Sequence, residues 1–307
     1  MKKIGWLFPG QGSQVIGMGK SFYENFAQAK ARFEEASDVL GFDMAQLLFE
    51  ANEQLDQTEY AQPAILMVSV IACELLKEHY EHQPVFGLGH SLGEISAVTA
   101  LGGLKFCDAL RLVHERGKLM KKACEGRNAG MSVILGLDDD KVESLVQQAQ
   151  ESGKHVWCAN YNMDGQLVLA GFKDDLVSLE TLFKEAGAKR AMLLNMSVAS
   201  HCPLLQSASE ELKVLLTQAL TTHFDAPIYS NATAELYETK ESAIELLTTQ
   251  LISPVRYKQS LNKAMNEADI MIEFGGKVLA GLNKKATIPT LSLVESQHIE
   301  SIVKELV

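Results

Sequence analysis

The sequence predicts an α/β protein: a mostly parallel sheet flanked by helices, with a second, smaller subdomain inserted into it. Three observations carry this. Short apolar runs alternate with helix-compatible stretches before and after the middle of the chain. One such run, Val85-Phe86-Gly87-Leu88, leads straight into a serine flanked by glycines and then a helical pattern. The middle of the chain, over about seventy residues, follows the order β-α-β-β-α-β.

Taken in order, Ile4–Phe8 reads as a first core strand, because its apolar run breaks at once on Pro9-Gly10-Gln11-Gly12 and so is not a signal peptide. Pro63–Lys77 reads as an apolar helix, and its core, Pro63–Leu76, is too short for a bilayer and carries Cys73-Glu74. Val85–Leu88 is the next strand, with helix from Glu94 to Ala100 and again from Asp108 to Lys122. The insert then has a strand at Met131–Gly136, a helix at Asp140–Gln150, strands at His155–Asn160 and Gln166–Ala170 joined by a Met163-Asp164-Gly165 turn, a helix at Asp174–Ala186 and a strand at Lys189–Met196. That order is the ferredoxin-like unit. Alternation resumes with a helix from Pro203 to Leu220, a strand at Pro227–Ser230, a helix ending near Leu251 and a strand at Asp269–Phe274. The division expected is 1–126 with 198–307 for the large domain and 127–197 for the small one.

Composition narrows the function classes. With 307 residues, 47% hydrophobic and 22% charged, the chain is large enough for one big domain and a smaller one. A net charge of −11 argues against nucleic acid or an anionic membrane as partner. The five cysteines are dispersed, without a CxxC, which fits a reducing cytoplasm and offers neither a zinc site nor a disulfide framework. No metal site is expected.

Gly89-His90-Ser91-Leu92-Gly93 carries the chemistry. A serine on a sharp strand-to-helix turn needs small neighbours, and the first N–H groups of the helix then face any oxyanion formed beside it. The competing reading is a capping box, Ser91 as N-cap and Glu94 at N3. Gly10-Gln11-Gly12-Ser13-Gln14 follows the first strand but fails as a nucleotide loop, since position 15 is Val and position 14 is Gln. It reads either as a loop bringing a Gln11 donor to the Ser91 oxyanion or as a plain turn. Arg116 falls at the centre of the apolar face made by Ala109, Leu112, Val113 and Met120. A guanidinium buried there needs an anion, either an internal carboxylate or the carboxylate of a substrate. Of eight histidines, His201 alone sits on a loop of small polar residues before a helix-opening Pro203, and it is the candidate base; the bland reading is a residue at a helix start. No aspartate is placed to orient it. The carbonyls closing the helix at Thr248-Thr249-Gln250-Leu251 offer a substitute.

Together, Phe8-Pro9-Gly10-Gln11-Gly12-Ser13-Gln14, Gln62-Pro63-Ala64, Gly89-His90-Ser91-Leu92-Gly93-Glu94, Arg116-Gly117-Lys118-Leu119-Met120, Ser197-Val198-Ala199-Ser200-His201-Cys202, Gln250 and Gly276-Lys277-Val278-Leu279 resemble the malonyl-CoA:acyl-carrier-protein transacylases of bacterial fatty-acid synthesis. The resemblance implies an α/β-hydrolase-like large domain with an inserted ferredoxin-like one. It implies Ser91 as the nucleophile that is malonylated, His201 as base and later acid, and the Gln250 main-chain carbonyl as its orienter. Gln11 and the Leu92 amide would face the oxyanion, Arg116 would pair with the malonyl carboxylate, and Gln62, Met120 and Asn160 would line the substrate. The partners implied are malonyl-CoA and acyl-carrier protein, with CoA and phosphopantetheine thiols as substrates and no bound cofactor. A monomer in the cytoplasm is expected. Lys118, Lys121, Lys122, Lys189, Arg190, Lys284 and Lys285 are the candidates to meet an acidic carrier. Two places depart from the family pattern: Asn160–Gly165 lacks a Ser-Pro, and the Gly275-Gly276 turn is one residue shorter than the usual Gly-Pro-Gly. A serine esterase or thioesterase, with water as acceptor, is the alternative, and a non-catalytic carrier-binding scaffold is a second.

Overall fold

A computed structural model describes residues 2–196 and 198–307. Its ten strands, β1 (Ile4–Phe8), β2 (Phe86–Gly89), β3 (Ala129–Leu135), β4 (Val156–Met163), β5 (Gln166–Phe172), β6 (Arg190–Leu193), β7 (Ile228–Tyr229), β8 (Leu236–Tyr237), β9 (Ile270–Phe274) and β10 (Thr290–Leu293), form two sheets. The first has the order β10-β9-β1-β2-β7-β8, parallel except for the edge strand β8. The second, β4-β5-β3-β6, is antiparallel throughout. The chain is therefore α/β with one mostly parallel sheet and one antiparallel sheet.

β1, β2 and β9 are buried along their whole length, as strands covered on both faces must be. Ile4, Trp6 and Phe8 belong to the large core with the helices Ala27–Leu40, Thr58–His79 and Leu92–Ala100. Leu7, Phe86, Leu88 and Met271 face the other way, toward the helix Tyr257–Ala264. Parallel β1, β2, β7 and β9 all end at one edge of the sheet, and the loops that follow them meet there.

The helix expected from Pro63 begins five residues earlier, as Thr58–His79. Pro63 lacks an N–H, which frees the carbonyl of Glu59 from the helix ladder. His114 Nδ1 takes up that carbonyl at 2.7 Å. Twenty-two residues are long and apolar enough to cross a membrane, contrary to the expectation from the shorter apolar core, but this helix is buried within the fold. The expected Pro203–Leu220 helix is a 3-10 turn, Pro203–Leu205, followed by the α-helix Gln206–Ala219. Ala27–Leu40 was unmarked by hydrophobicity because its buried stripe, Ala29, Phe33 and Ala36, is two-thirds alanine.

The antiparallel sheet has its own core, in which Ile134, Leu167, Leu169 and Phe183 pack with the helices Asp139–Glu151 and Lys173–Glu185. Edge strand β4 slips register between Cys158 and Asn160 and again between Tyr161 and Met163. Such bulges re-aim a strand's side chains and main chain. Here they release the Ala159 carbonyl and the Tyr161 N–H to bond Val255 at 2.8 and 2.9 Å, fastening the small sheet to the segment that leads into the helix Tyr257–Ala264.

Candidate active site

The turn after β2 is built as the sequence predicts. Ser91 has φ 54°, a left-handed conformation that a side chain rarely adopts, with ψ −107°. Its neighbours have no room for side chains: a Cβ at Gly89 would lie 1.9 Å from Gly93 C, and one at Gly93 would lie 1.9 Å from Phe8 O. The loop after β1 is as close, since a Cβ at Gly10 would lie 2.3 Å from His90 O. Ser91 starts the helix Leu92–Ala100 but its hydroxyl makes no capping bond, and Glu94 is turned inward, away from a capping box. The main chain of Ser91 is held from both sides. Asn231 Oδ1 accepts from the Ser91 N–H at 2.6 Å, and Gln250 Nε2 donates to the Ser91 carbonyl at 3.0 Å.

His201 is 2% exposed and also has a positive φ, 60°. Its Nε2 lies 2.7 Å from Ser91 Oγ, and its Nδ1 lies 2.8 Å from the main-chain carbonyl of Gln250, the last residue of the helix Lys240–Gln250. A carbonyl only accepts, so the ring proton sits on Nδ1 and Nε2 is free to accept the Ser91 hydroxyl proton. Burial drives the His201 pKa down to about 3, against the carbonyl of Gln250, and Arg116 and His90 push the same way as burial. The resting imidazole is neutral. Ser197, in the run leading to His201, lies outside the described residues.

Arg116 comes from the helix Phe106–Cys124 and is 1% exposed. Nη1 donates to Gln62 Oε1 at 2.8 Å, while Nη2 donates to Gln250 Oε1 at 3.0 Å and to Ser91 Oγ at 3.2 Å. Among the described residues it forms no ion pair, and its buried Nε has no hydrogen-bond partner. Burial lowers its pKa to about 10, with Glu94 working in the opposite direction, so the guanidinium stays charged at neutral pH. An internal carboxylate in contact, the bland explanation of Arg116, is not what the fold supplies. Gly117 lets this helix approach closely, since a Cβ there would lie 2.5 Å from Glu59 Cα.

Gln62 is fully buried, with Oε1 on Arg116 and Nε2 on Thr58 Oγ1 at 2.9 Å and on Met120 Sδ at 3.4 Å. Thr58 in turn donates to Gln11 Oε1 at 2.8 Å. Gln11's side-chain carbonyl is thus occupied, which leaves its Nε2 and its backbone N–H as donors. Neither that N–H nor the Leu92 N–H has an acceptor among the described residues. A cavity of about 160 Å³ opens here, walled by Gln11, Thr58, Glu59, Lys121, Asn195, Met196 and Val198. Asn160 is buried with its Oδ1 unpartnered, and its Nδ2 lies 3.4 Å from His90 Nε2. His90 points away from Ser91 and meets Asn162 Oδ1 at 2.8 Å across the two sheets. Of the candidate carrier-facing cations, Lys118, Lys121 and Lys122 already pair with Glu115, Glu59 and Glu211. No group of three or more His, Cys, Asp or Glu able to hold a metal occurs among the described residues.

Sequence reasoning missed Asn231 and the side chain of Gln250. Asn231 stands just past the carboxyl end of β7, beside β2, and that position was the signal that would have found it.

A strained serine bonded to a neutral histidine, with a buried cation beside its hydroxyl, is the arrangement of an enzyme that handles acyl groups. The sequence pattern of the family described as "Acyl transferase domain" matches residues 5–280. The malonyl CoA-acyl carrier protein transacylase of Bacillus subtilis strain 168 is 40% identical over 311 residues, covering 100% of this chain and 98% of that protein. The crystal structure of malonyl-CoA:acyl carrier protein transacylase from Helicobacter pylori superposes with a TM-score of 0.97 at 48% identity, covering 100% of this chain and 99% of the other. A malonyl-transacylase solved in complex with its type II PKS acyl-carrier protein has a TM-score of 0.94 at 33% identity, covering 99% of each chain. The chain belongs to the malonyl CoA-acyl carrier protein transacylase family of acyltransferases.

Proposed function

We propose that this enzyme moves a malonyl group from malonyl-CoA to the phosphopantetheine thiol of acyl-carrier protein, supplying fatty-acid elongation, through a malonyl ester on Ser91. The observation that carries the reading is a charged, buried Arg116, in contact with no carboxylate among the described residues and 3.2 Å from the Ser91 hydroxyl. An acyl chain ending in its own carboxylate supplies the missing anion. The names of the relatives support the same donor and acceptor.

In the first half-reaction Ser91 Oγ attacks the thioester carbon as its proton passes to His201 Nε2. The new oxyanion faces the Gln11 and Leu92 N–H groups. The C–S bond then breaks, and the departing sulfur of CoA takes the proton from Nε2. In the second half-reaction the carrier thiol gives its proton to Nε2 and attacks the ester carbon, and Ser91 Oγ recovers the proton as the C–O bond breaks. The carbonyl of Gln250 does the work an aspartate does in other triads, holding the Nδ1 proton. Gln62 and Met120 support Arg116, and Asn160 offers its free Oδ1 to the substrate arm. No bound cofactor takes part.

The large sheet with its helices is read as α/β-hydrolase-like, residues 1–126 and 198–307. The small unit, 127–197, is read as ferredoxin-like. Its element order β-α-β-β-α-β and its strand order, fourth-first-third-second, support that description. A cytoplasmic location fits the dispersed free cysteines.

Intact mass after mixing with malonyl-CoA tests the reading. Wild type is expected to gain one malonyl group, on Ser91, and Ser91→Ala none. Transfer of that group to holo-carrier should exceed release of free malonate. Predominant release identifies a hydrolase, and the absence of an adduct refutes covalent transfer.

A further inference from the structure

Glu94, three residues past the nucleophile, is fully buried. Its Oε2 accepts from the Asn231 N–H at 2.9 Å and from Gln250 Nε2 at 2.7 Å. Its Oε1 has no hydrogen-bond partner among the described residues, and neither has the buried Tyr237 hydroxyl, which stands close enough to act on the same carboxyl. Burial pushes this carboxyl up to about 7, against the pull of Asn231, Gln250, Tyr237 and Arg116. When a proton is present it belongs on Oε1, facing Tyr237, so Oε2 is an acceptor in either state.

That has a consequence for Gln250. Its amide has a donor end and an acceptor end, and the two can exchange by a half-turn. Because Oε2 only accepts, it demands the nitrogen, and the Ser91 carbonyl, accepting from the same Nε2 at 3.0 Å, demands it with less force than the shorter, carboxylate bond at 2.7 Å. The oxygen is then left to face Arg116 Nη2 at 3.0 Å. With the amide reversed, an NH2 group would confront the guanidinium, and Arg116 would lose one of the two amide carbonyls that hold it.

We propose that Glu94 is a positioning residue: by fixing which end of the Gln250 amide faces Arg116, it holds the guanidinium beside Ser91 Oγ, where the acyl carboxylate binds. The proposal rests on the malonyl reading above. His201 does not depend on this amide, since it is oriented by the main-chain carbonyl of Gln250. The same nitrogen also donates to the Ser91 carbonyl, so the part of the effect specific to Arg116 is read in the malonyl-to-acetyl ratio, which a shift of Ser91 common to both acyl groups leaves unchanged.

Glu94→Leu keeps roughly the size of the side chain and removes the acceptor, so nothing at this position demands the Gln250 nitrogen. Glu94→Gln, with its own nitrogen on the Tyr237 side, keeps an acceptor in the place of Oε2. The test compares Ser91 acylation by malonyl-CoA and by acetyl-CoA in wild type, E94L and E94Q. In E94L the malonyl-to-acetyl ratio of kcat/KM is expected to fall at least about tenfold, mostly through KM, a loss of roughly 1.4 kcal/mol or more. In E94Q the ratio should stay within about threefold of wild type. Malonyl and acetyl rates falling together in E94L, or an E94Q ratio lowered tenfold, would overturn the role. If E94L does not fold, the E94Q ratio alone decides by the same limits. A wild-type protein that forms no ester with malonyl-CoA instead strikes at the malonyl reading.

Discussion

Replacing Arg116 with alanine separates recognition of the acyl group from transfer chemistry. In the resting site Nη2 lies 3.2 Å from Ser91 Oγ, and every polar partner of the guanidinium is neutral. A malonyl carboxylate arriving there gains a charge-assisted pair in a site shielded from water. Removing one member of such a pair costs about 2–5 kcal/mol, because the other is left buried and unpaired. That range is roughly 30- to 5,000-fold in kcat/KM for malonyl-CoA. Acetyl-CoA has no carboxylate to strand, so its kcat/KM should move by less than about tenfold. Rapid-quench measurement of Ser91 esterification by each thioester gives both numbers from one preparation. The stability of the folded protein should change little, since truncation strands the Gln62 and Gln250 carbonyls but also removes a buried charge without a counter-ion. If malonyl and acetyl lose activity equally, Arg116 is part of the general machinery and the reasoning from its missing carboxylate is wrong.

Two further outcomes follow from the same geometry. His201 has a pKa depressed to about 3, so its neutral, proton-accepting form persists as the pH falls through the usual histidine range and is lost only near the depressed value. The acetylation rate of Ser91 should therefore stay level from about pH 8 to about pH 5, and a halving near 6.5 would show an ordinary, solvated imidazole. Gly10→Ala would drive a Cβ to within 2.3 Å of the His90 carbonyl, forcing the loop off the turn and taking the Gln11 N–H with it. Loss of an oxyanion donor costs about 10²–10³ in turnover, and a G10A enzyme of normal kcat would clear Gln11 of that role.

The parts of the site legible in the sequence were those with a local signature. Glycines at 89 and 93 around a serine mark a turn with no space, and an arginine in an apolar stripe marks a charge that needs a partner. His201 emerged by elimination among eight histidines. What stayed hidden joins residues far apart. Asn231 clamps a main chain 140 positions away, and its one mark in the sequence is its place just past the carboxyl end of a strand, which any loop residue there would share. Glu94 was disguised, because Ser91-Leu92-Gly93-Glu94 satisfies the spacing of a capping box while the carboxylate turns inward to Gln250 and Asn231. In the fold, the strands with unbroken apolar runs were legible and the two-residue strands β7 and β8 only partly so, since so short a segment has no period to read.

Asn231 and Gln250 grip opposite ends of the Ser91 residue, one at its amide hydrogen and one at its carbonyl oxygen. Those grips secure an unfavourable backbone shape that costs on the order of 1–3 kcal/mol. In the proposed cycle neither anchor involves the hydroxyl that is loaded and unloaded, so cargo exchange asks for no change in this backbone. Donor and acceptor would then meet the same rigid post, with no refolding step between one delivery and the next.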